Sequence, residues 1–268
     1  MKKLLILMVV ALVFLLSGRP NYIDYHEGNF PILLTSSHGG SVYKGIKKRD
    51  CKNNVCSKDL FTKEITKEIY YNLKRENLEA SYVISNLHRK VLDCNREPSV
   101  AYTGNIAKIN YFNFHGKIER FINNNIYSDS VILIVDIHGH THSHNKIELG
   151  YDVPSSVLNS DTLYRVSTSS LENLHFNVDL IEKLGNLYDI YNMSAVPNSY
   201  VKTPKKYFNG GYITEKYKSY PNTVVVQIEI PANIRKNKEL RKDFSRKTAK
   251  IIKYYYNIIN NSLNHEKI

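Results

Sequence analysis

Tryptophan is absent, and glycine and proline are scarce, at 12 and 8 among 268 residues. So few of either excludes collagen-like and low-complexity classes. Cysteines number only 3, which allows a single intrachain pair and leaves one thiol over. Cys51 and Cys56 are the expected pair, closing a short loop, while Cys94 sits inside a polar motif. Missing too are an internal repeat, a linker and a second domain boundary, so residues 19–268 are read as one domain. What is present is a folded-protein composition, 42% hydrophobic against 23% charged, with apolar positions spread along the whole length and enough of them for one large core.

Lys and Arg number 37 against 25 Asp and Glu, a formal charge of +12. That balance would suit nucleic acid, but no basic cluster interleaved with aromatics occurs, and no nucleic-acid partner is expected. The scattered excess is read instead as a field that draws in anionic substrates. Lys2 and Lys3 precede an unbroken apolar run from Leu4 to Leu16, followed by Ser17 and Gly18. The run is shorter than the roughly 20 residues that span a bilayer, and residues 1–18 follow the plan of a signal peptide. Leu16 and Gly18 make a poor cleavage pair, so an uncleaved leader that holds the protein to a membrane is the alternative; no cysteine follows to accept a lipid. Either way the body is expected outside the cytoplasm, secreted, periplasmic or at the cell surface, where a disulfide is permitted.

The rest of the chain alternates strands and helices. Asn29 to Ser37 reads as a strand entering the turn Ser36-Ser37-His38-Gly39-Gly40, which places a histidine at a strand end. After a basic loop, Leu60, Phe61, Ile65, Ile69 and Leu73 carry a helical period, with Ser57 as the expected N-cap. Ala80 to Ser85 is a short strand leading into the polar segment His88 to Pro98, and residues 106–126 form a helix. A strand over 130–137 is apolar on both faces, as a central parallel strand is, and runs into Asp136-Ile137-His138-Gly139-His140-Thr141-His142-Ser143-His144. A second buried strand, Thr223 to Ile230, carries Glu229, and a basic amphipathic helix from Asn237 to Leu263 follows. The alternation implies an α/β fold: a single-domain three-layer sandwich with a mixed, largely parallel central sheet flanked by helices. Ligands of such sheets gather at the carboxyl ends of strands, where each polar motif falls.

His38 and His138, each at a strand end, are the natural pair of metal ligands, since catalytic zinc takes imidazole nitrogen and carboxylate oxygen and keeps one position for water. The third ligand comes from Asp59, Asp136 or His140. Asp59 is favoured, with Asp136 and His140 as outer partners that fix an imidazole. A lone histidine is more often a satisfied polar residue than a ligand, and His88, His115, His142 and His144 are read that way. Glu229, inside the apolar run Val225 to Pro231, is costly to bury unless paired or functional. It is the candidate general base, the plainer reading being a buried salt bridge. Arg96 with Asn95 can grip a substrate carboxylate, a planar fork beside an amide, and Arg89 is a second candidate, for holding the substrate or for polarising the scissile carbonyl in catalysis.

Taken in order, SSHGG (36–40), DLFT (59–62), HRKVLDCNRE (88–97), DIHGH (136–140), NGGYITEKY (209–217) and QIEIP (227–231) resemble the N-formylglutamate amidohydrolase family. The resemblance spans the body from about residue 30 to 260. It implies the phosphorylase/hydrolase-like fold shared with zinc carboxypeptidases, one Zn2+ ion, and cleavage of an amide adjoining a carboxylate. Position by position it implies His38 and His138 as zinc ligands, Asn95 and Arg96 as the carboxylate clamp and Glu229 as the base. Gly210, Gly211 and Tyr212 resemble a loop lining the pocket, with Tyr212 as a hydrogen-bond donor. Two departures matter. The residue three after His38 is Ser41, not the glutamate of the carboxypeptidase His-x-x-Glu turn, so the acidic ligand comes from farther away. A leader also sits poorly with cytoplasmic histidine breakdown, so another N-acyl amino acid, a peptide or a γ-glutamyl polymer is the expected substrate.

The expectation is therefore an exported zinc amidohydrolase that uses metal-activated water on a small-molecule or peptide substrate bearing a carboxylate. The alternative is a non-catalytic surface protein on the same fold that holds an acidic ligand on its basic face. Binding alone does not require His38, His138, Arg96 and Glu229 together, and all four are present.

Overall fold

A computed structural model describes residues 21–52, 54–128, 130–160 and 178–265. The leader expected over 1–18 lies outside them, and no helix of the described residues is long and apolar enough to cross a membrane. Among these residues the strands are β1 (Ile23–His26), β2 (Ile32–Ser36), β3 (Ser81–Ser85), β4 (Ile132–His140), β5 (Ile147–Gly150), β6 (Ala195–Val196) and β7 (Thr223–Pro231). They form one sheet in the order β1-β3-β2-β4-β7-β5-β6. β3, β2, β4 and β7 run parallel, β1 is antiparallel to β3 and β5 to β7, and β6 pairs parallel with β5. The sheet is thus mixed and largely parallel, as the sequence implies. The main helices are α1 (Thr62–Arg75), α2 (Asn105–Asn125), α3 (Val178–Ile190), α4 (Tyr212–Tyr217), α5 (Ala232–Lys236) and α6 (Lys238–His265).

Side-chain alternation along β4 and β7 builds both outer layers. Leu133, Val135 and Ile137, with Val224, Val226 and Ile228, face a core closed by α1, α3 and α6. Ile132, Ile134 and Val225 face a second core, where α2 and α4 contribute Tyr111, Phe114, Ile118, Ile213 and Tyr217. On that second face the apolar pattern stops halfway along each strand. Ile134 gives way to Asp136 and His138, and Val225 gives way to Gln227 and Glu229. The register sets Asp136 opposite Gln227 and His138 opposite Glu229. One half of the sheet face is therefore core, and its carboxyl-end half is a polar floor.

Some elements depart from the sequence reading. α1 begins at Thr62 and Ser57 does not cap it: Phe61, with φ of 68°, stands before the helix, and no side chain supplies a capping bond. Residues 57–61 instead cross the sheet end, where the Asp59 N–H donates to the His38 carbonyl at 3.1 Å and Leu60 stays exposed. β1, β5 and β6 have no counterpart in the sequence reading, because runs of 4, 4 and 2 residues are too short for alternation to register. β4 extends to His140, past its expected end at residue 137, and carries histidines into the sheet. Cys51 and Cys56 are bonded, with Cα atoms 5.7 Å apart, and Cys94 is buried and free.

Candidate active site

The carboxyl ends of β2, β4 and β7 open into a cavity of about 750 Å³. His38 follows β2, His138 stands on β4, and Asp59 arrives from the loop before α1. Each imidazole is gripped on its far nitrogen. His38 Nε2 lies 2.6 Å from Asp93 Oδ1, and His138 Nε2 lies 2.6 Å from Asp136 Oδ2. Both Nδ1 atoms then point at one oxygen, Asp59 Oδ2, at 3.3 Å each. The three donor atoms lie within 4.8 Å of one another.

Ionised carboxylates only accept, so Asp93 and Asp136 fix a ring proton on each Nε2 and turn the Nδ1 lone pairs towards a third carboxylate. Such a trio needs a cation among its members. Where a proton serves, it is tightly held: against the burial that opposes it, Asp136 and Asp59 keep the His138 imidazole well above its ordinary value. Burial likewise works against ionised Asp59, yet hydrogen bonds with His138 and His38 keep its carboxyl well below the usual range. Two imidazole nitrogens and a carboxylate oxygen, each backed by a further carboxylate or peptide group, are the donor set of a divalent transition-metal site.

The supports reach deeper. Asp93 Oδ1 also takes the Asn95 N–H at 3.0 Å, and its Oδ2 takes Arg49 Nη2 at 3.0 Å and Arg89 Nε at 2.9 Å. Burial opposes the charge on Asp93, but His38, Arg89 and Arg49 together hold it far below the carboxylate range. The Thr35 hydroxyl donates to Asp136 Oδ1 at 2.6 Å.

Glu229 faces the trio from β7. Its Oε1 accepts Gln227 Nε2 at 3.0 Å, whereas its buried Oε2 has no hydrogen-bond partner among the described residues. Burial pushes its carboxyl up to about 8, with His138 pulling the other way and Asp59 and Glu148 adding to the rise. A partnerless oxygen on a cavity wall, titrating near neutrality, suits a proton acceptor.

Arg89 is held between carboxylates, with Nε on Asp93 and Nη1 3.6 Å from Asp59 Oδ1. Arg96 is exposed on the cavity wall and makes no ion pair among the described residues. Asn95, expected to supply an amide hydrogen bond beside Arg96, is buried and tied on both ends of its amide. Its amide nitrogen donates to Gln227 Oε1 at 3.1 Å and lies 3.3 Å from His138 Nε2, and its Oδ1 accepts the Ile213 N–H at 2.8 Å. It is a strut between β7 and α4, because the start of α4 lies directly over it. Gly211 permits that closeness, since a Cβ there would stand 2.3 Å from Asn95 Nδ2. Gly210 and Tyr212 line the same wall, Tyr212 with its ring 5.7 Å from that of His115.

Arg235 has no counterpart in the sequence reading. Buried below the cavity, it donates from Nε to Ile230 O, from Nη1 to Leu60 O and from Nη2 to His140 O, each at 2.9 Å. One guanidinium thus pins the ends of β7 and β4 to the loop that carries Asp59. Gly139 makes room for it, because a Cβ there would stand 2.2 Å from Arg235 Nε. Arg235→Ala leaves buried carbonyls without donors, and Gly139→Ala drives a methyl group into the guanidinium. Each is expected to cost about 2–4 kcal/mol in urea denaturation. Midpoints and slopes matching the wild type would show that the pin is dispensable.

His140, expected as an outer partner of the metal histidines, faces another way. Its Nε2 donates to Lys146 O at 2.9 Å, and its Nδ1 accepts the His142 N–H at 3.0 Å and lies 4.0 Å from Glu148. His142 and His144, read from sequence as ordinary polar residues, also converge on Glu148, at 2.6 and 2.8 Å. The cause is topological: the chain after β4 returns as β5, which sets Glu148 opposite Glu229. A signal for it exists, since alternate histidines 138 to 144 would share one face of an extended chain and an acid follows four residues after the last.

No family model and no curated protein matches the chain. Solved structures do match. The gene product Atu2144 from Agrobacterium tumefaciens aligns with a TM-score of 0.59 at 14% identity, over 91% of this chain and 98% of its own. An N-formylglutamate amidohydrolase from Ralstonia eutropha aligns with a TM-score of 0.56 at 11% identity, over 88% of this chain and 98% of its own. At such identities the likeness is one of architecture, and in architecture this chain is similar to an N-formylglutamate amidohydrolase over most of its length.

Proposed function

We propose that this chain is a zinc-dependent amidohydrolase, exported by its leader, whose domain over 19–268 cleaves an amide next to a substrate carboxylate. The observation that carries the reading is the convergence of two aspartate-held imidazoles on Asp59 beside the partnerless Oε2 of Glu229. His38 Nδ1, His138 Nδ1 and Asp59 would hold the ion. When bound, zinc supplies a Lewis acid that acidifies water and polarises a carbonyl.

The protein's own groups do the rest. Glu229 accepts the proton of the attacking water on Oε2 and delivers it to the leaving nitrogen. Arg96 holds the substrate carboxylate on the cavity wall, and Asn95 keeps that wall in place. Arg89, fixed by Asp93 and Asp59, turns its remaining N–H groups to the oxygen of the scissile amide. Tyr212 closes the pocket from the start of α4. The solved N-formylglutamate amidohydrolase of the same architecture is consistent with this chemistry, and N-acyl amino acids, peptides and γ-glutamyl amides are the substrate classes the cavity would take.

The test is a hydrolysis screen of those classes with the zinc-loaded chain, following free amine, with metal content measured alongside. Zinc bound by the wild type and amine release that is lost in His38→Ala are expected. A zinc-loaded wild type that releases no amine from any class, or a His38→Ala protein as active as the wild type, overturns the reading.

A further inference from the structure

Across β7 from the first cluster lies a second. Glu148 on β5 is fully buried and sits in register opposite Glu229. Among the described residues its ion-pair partners are imidazoles alone: its Oε1 is 4.0 Å from His140 Nδ1, 2.6 Å from His142 Nδ1 and 2.8 Å from His144 Nε2. Charge balance needs only one protonated ring there, so three converging rings call for another explanation.

The orientation of each ring supplies it. His140 gives its Nε2–H to a backbone carbonyl, Lys146 O, the usual tie of a metal-ligating histidine, and so carries its lone pair on Nδ1, 4.0 Å from Glu148 Oε1. His142 lies flat on Phe208, with ring centroids 4.8 Å apart and planes at 13°. The Phe208 N–H donates to Glu148 Oε2 at 2.7 Å, so one residue orients both the ring and the carboxylate. His144 Nδ1 accepts the Lys146 N–H at 3.1 Å, which leaves the ring proton on Nε2, 2.8 Å from Glu148 Oε1 but not aligned for a hydrogen bond. The His140 and His142 centroids are 5.2 Å apart. Two imidazoles on one tetrahedral ion, with metal–nitrogen bonds of about 2.0–2.1 Å, have centroids about 5 Å apart. A ring nitrogen of His140, one of His142 and a Glu148 oxygen lie within 4.8 Å of one another, and both histidines line the cavity that holds His38 and His138.

We propose that His140, His142 and Glu148 form a second cation site, for a divalent transition-metal ion, in the wall of the same cavity. His144 Nε2 stands 2.8 Å from Glu148 Oε1 and is not one of the ligands. The ion displaces the His142 N–H from His140 Nδ1, a bond of 3.0 Å, so this site binds more weakly and exchanges faster than one built on His38, Asp59 and His138. None of its ligands belongs to that first trio, and it stands or falls separately.

The experiment counts zinc ions on the full chain by elemental mass spectrometry after equilibration with excess zinc and rapid desalting. His142 is the variant of choice because its side chain is 33% exposed, whereas Glu148 is fully buried; circular dichroism verifies the fold of each protein. Two ions are expected on the wild type, one on His142→Ala, one on His38→Ala and none on the double variant. A Co2+ titration followed by visible absorption is expected to show two phases in the wild type, the weaker one missing from His142→Ala. Equal ion counts and identical titrations for the wild type and His142→Ala overturn the second site. A single ion lost in His38→Ala alone overturns it too and leaves the first site standing. A single ion lost in His142→Ala alone upholds the second site and overturns the first.

Discussion

Glu229→Gln is expected to lower the rate of hydrolysis about 10²–10⁴-fold, the range a positioned proton acceptor contributes, while making the metal-free chain more stable in alkali. Both effects come from one buried oxygen. Burial pushes the Glu229 carboxyl up to about 8 in the folded chain, whereas an unfolded glutamate titrates near 4.3. Between those values the folded state keeps a proton that the unfolded state has released. The stability associated with the group is therefore complete below about pH 4 and is lost as pH rises through 8. Glutamine matches the protonated acid in shape and does not titrate, so variant and wild type should be of similar stability near pH 4–5. At pH 9 the variant should be the more stable, on the order of 2–5 kcal/mol, because a pKa unit corresponds to about 1.4 kcal/mol. Urea denaturation with a chelator present, at both pH values, reads the difference, and amine release from the zinc-loaded proteins reads the rate. Parallel stability at both pH values would refute the raised titration, and undiminished hydrolysis would remove Glu229 from the chemistry.

The second large effect is expected at Asp93, which touches no substrate. Four donors meet on this buried carboxylate: His38 Nε2, the Asn95 N–H, Arg49 Nη2 and Arg89 Nε. Asp93→Asn turns an NH2 group towards part of that ring of donors and leaves two guanidinium groups without their shared anion. Removing one partner of a buried ion pair costs about 3–5 kcal/mol. It also frees the His38 ring, and loss of such a carboxylate–histidine tie weakens metal binding about 10–100-fold. Because the folded carboxyl is held far below its unfolded value, its contribution is complete above about pH 4 and disappears only in stronger acid. The gap between wild type and variant should therefore close as pH falls below 4. Denaturation across that range, with zinc affinity from competition against a chelator, checks both halves. A variant that keeps wild-type stability and affinity would show that the His38 ring is oriented by something else.

Much of the sheet and of the site floor is legible in the sequence, because apolar runs ending in polar turns carry a local signal. The strands around Val131–Val135 and Thr223–Ile230 announce themselves as central, and SSHGG and DIHGH set His38 just past one strand and His138 among the last paired residues of another. The ties that orient those histidines are not local. Asp93 reaches His38 across 55 positions, and Arg235 reaches Leu60 across 175. No period in the chain encodes such bonds. The Glu148 cluster is hidden for a different reason: β5 is too short to show alternation, and histidines weighed one at a time conceal that alternate ones share a face.

β7 enters the sheet between β4 and β5 although it follows both in the chain. Until Thr223–Pro231 is in place, β4 and β5 present unpaired edges to each other across a gap, the arrangement most open to mispairing while a chain folds. His38, Asp59 and His138 all precede β7 in the chain, whereas Glu229 lies on it and the Arg235 pin follows it. The candidate proton acceptor and the pin beneath the Asp59 loop therefore come last in sequence, and the candidate site is complete only when β7 has closed the sheet.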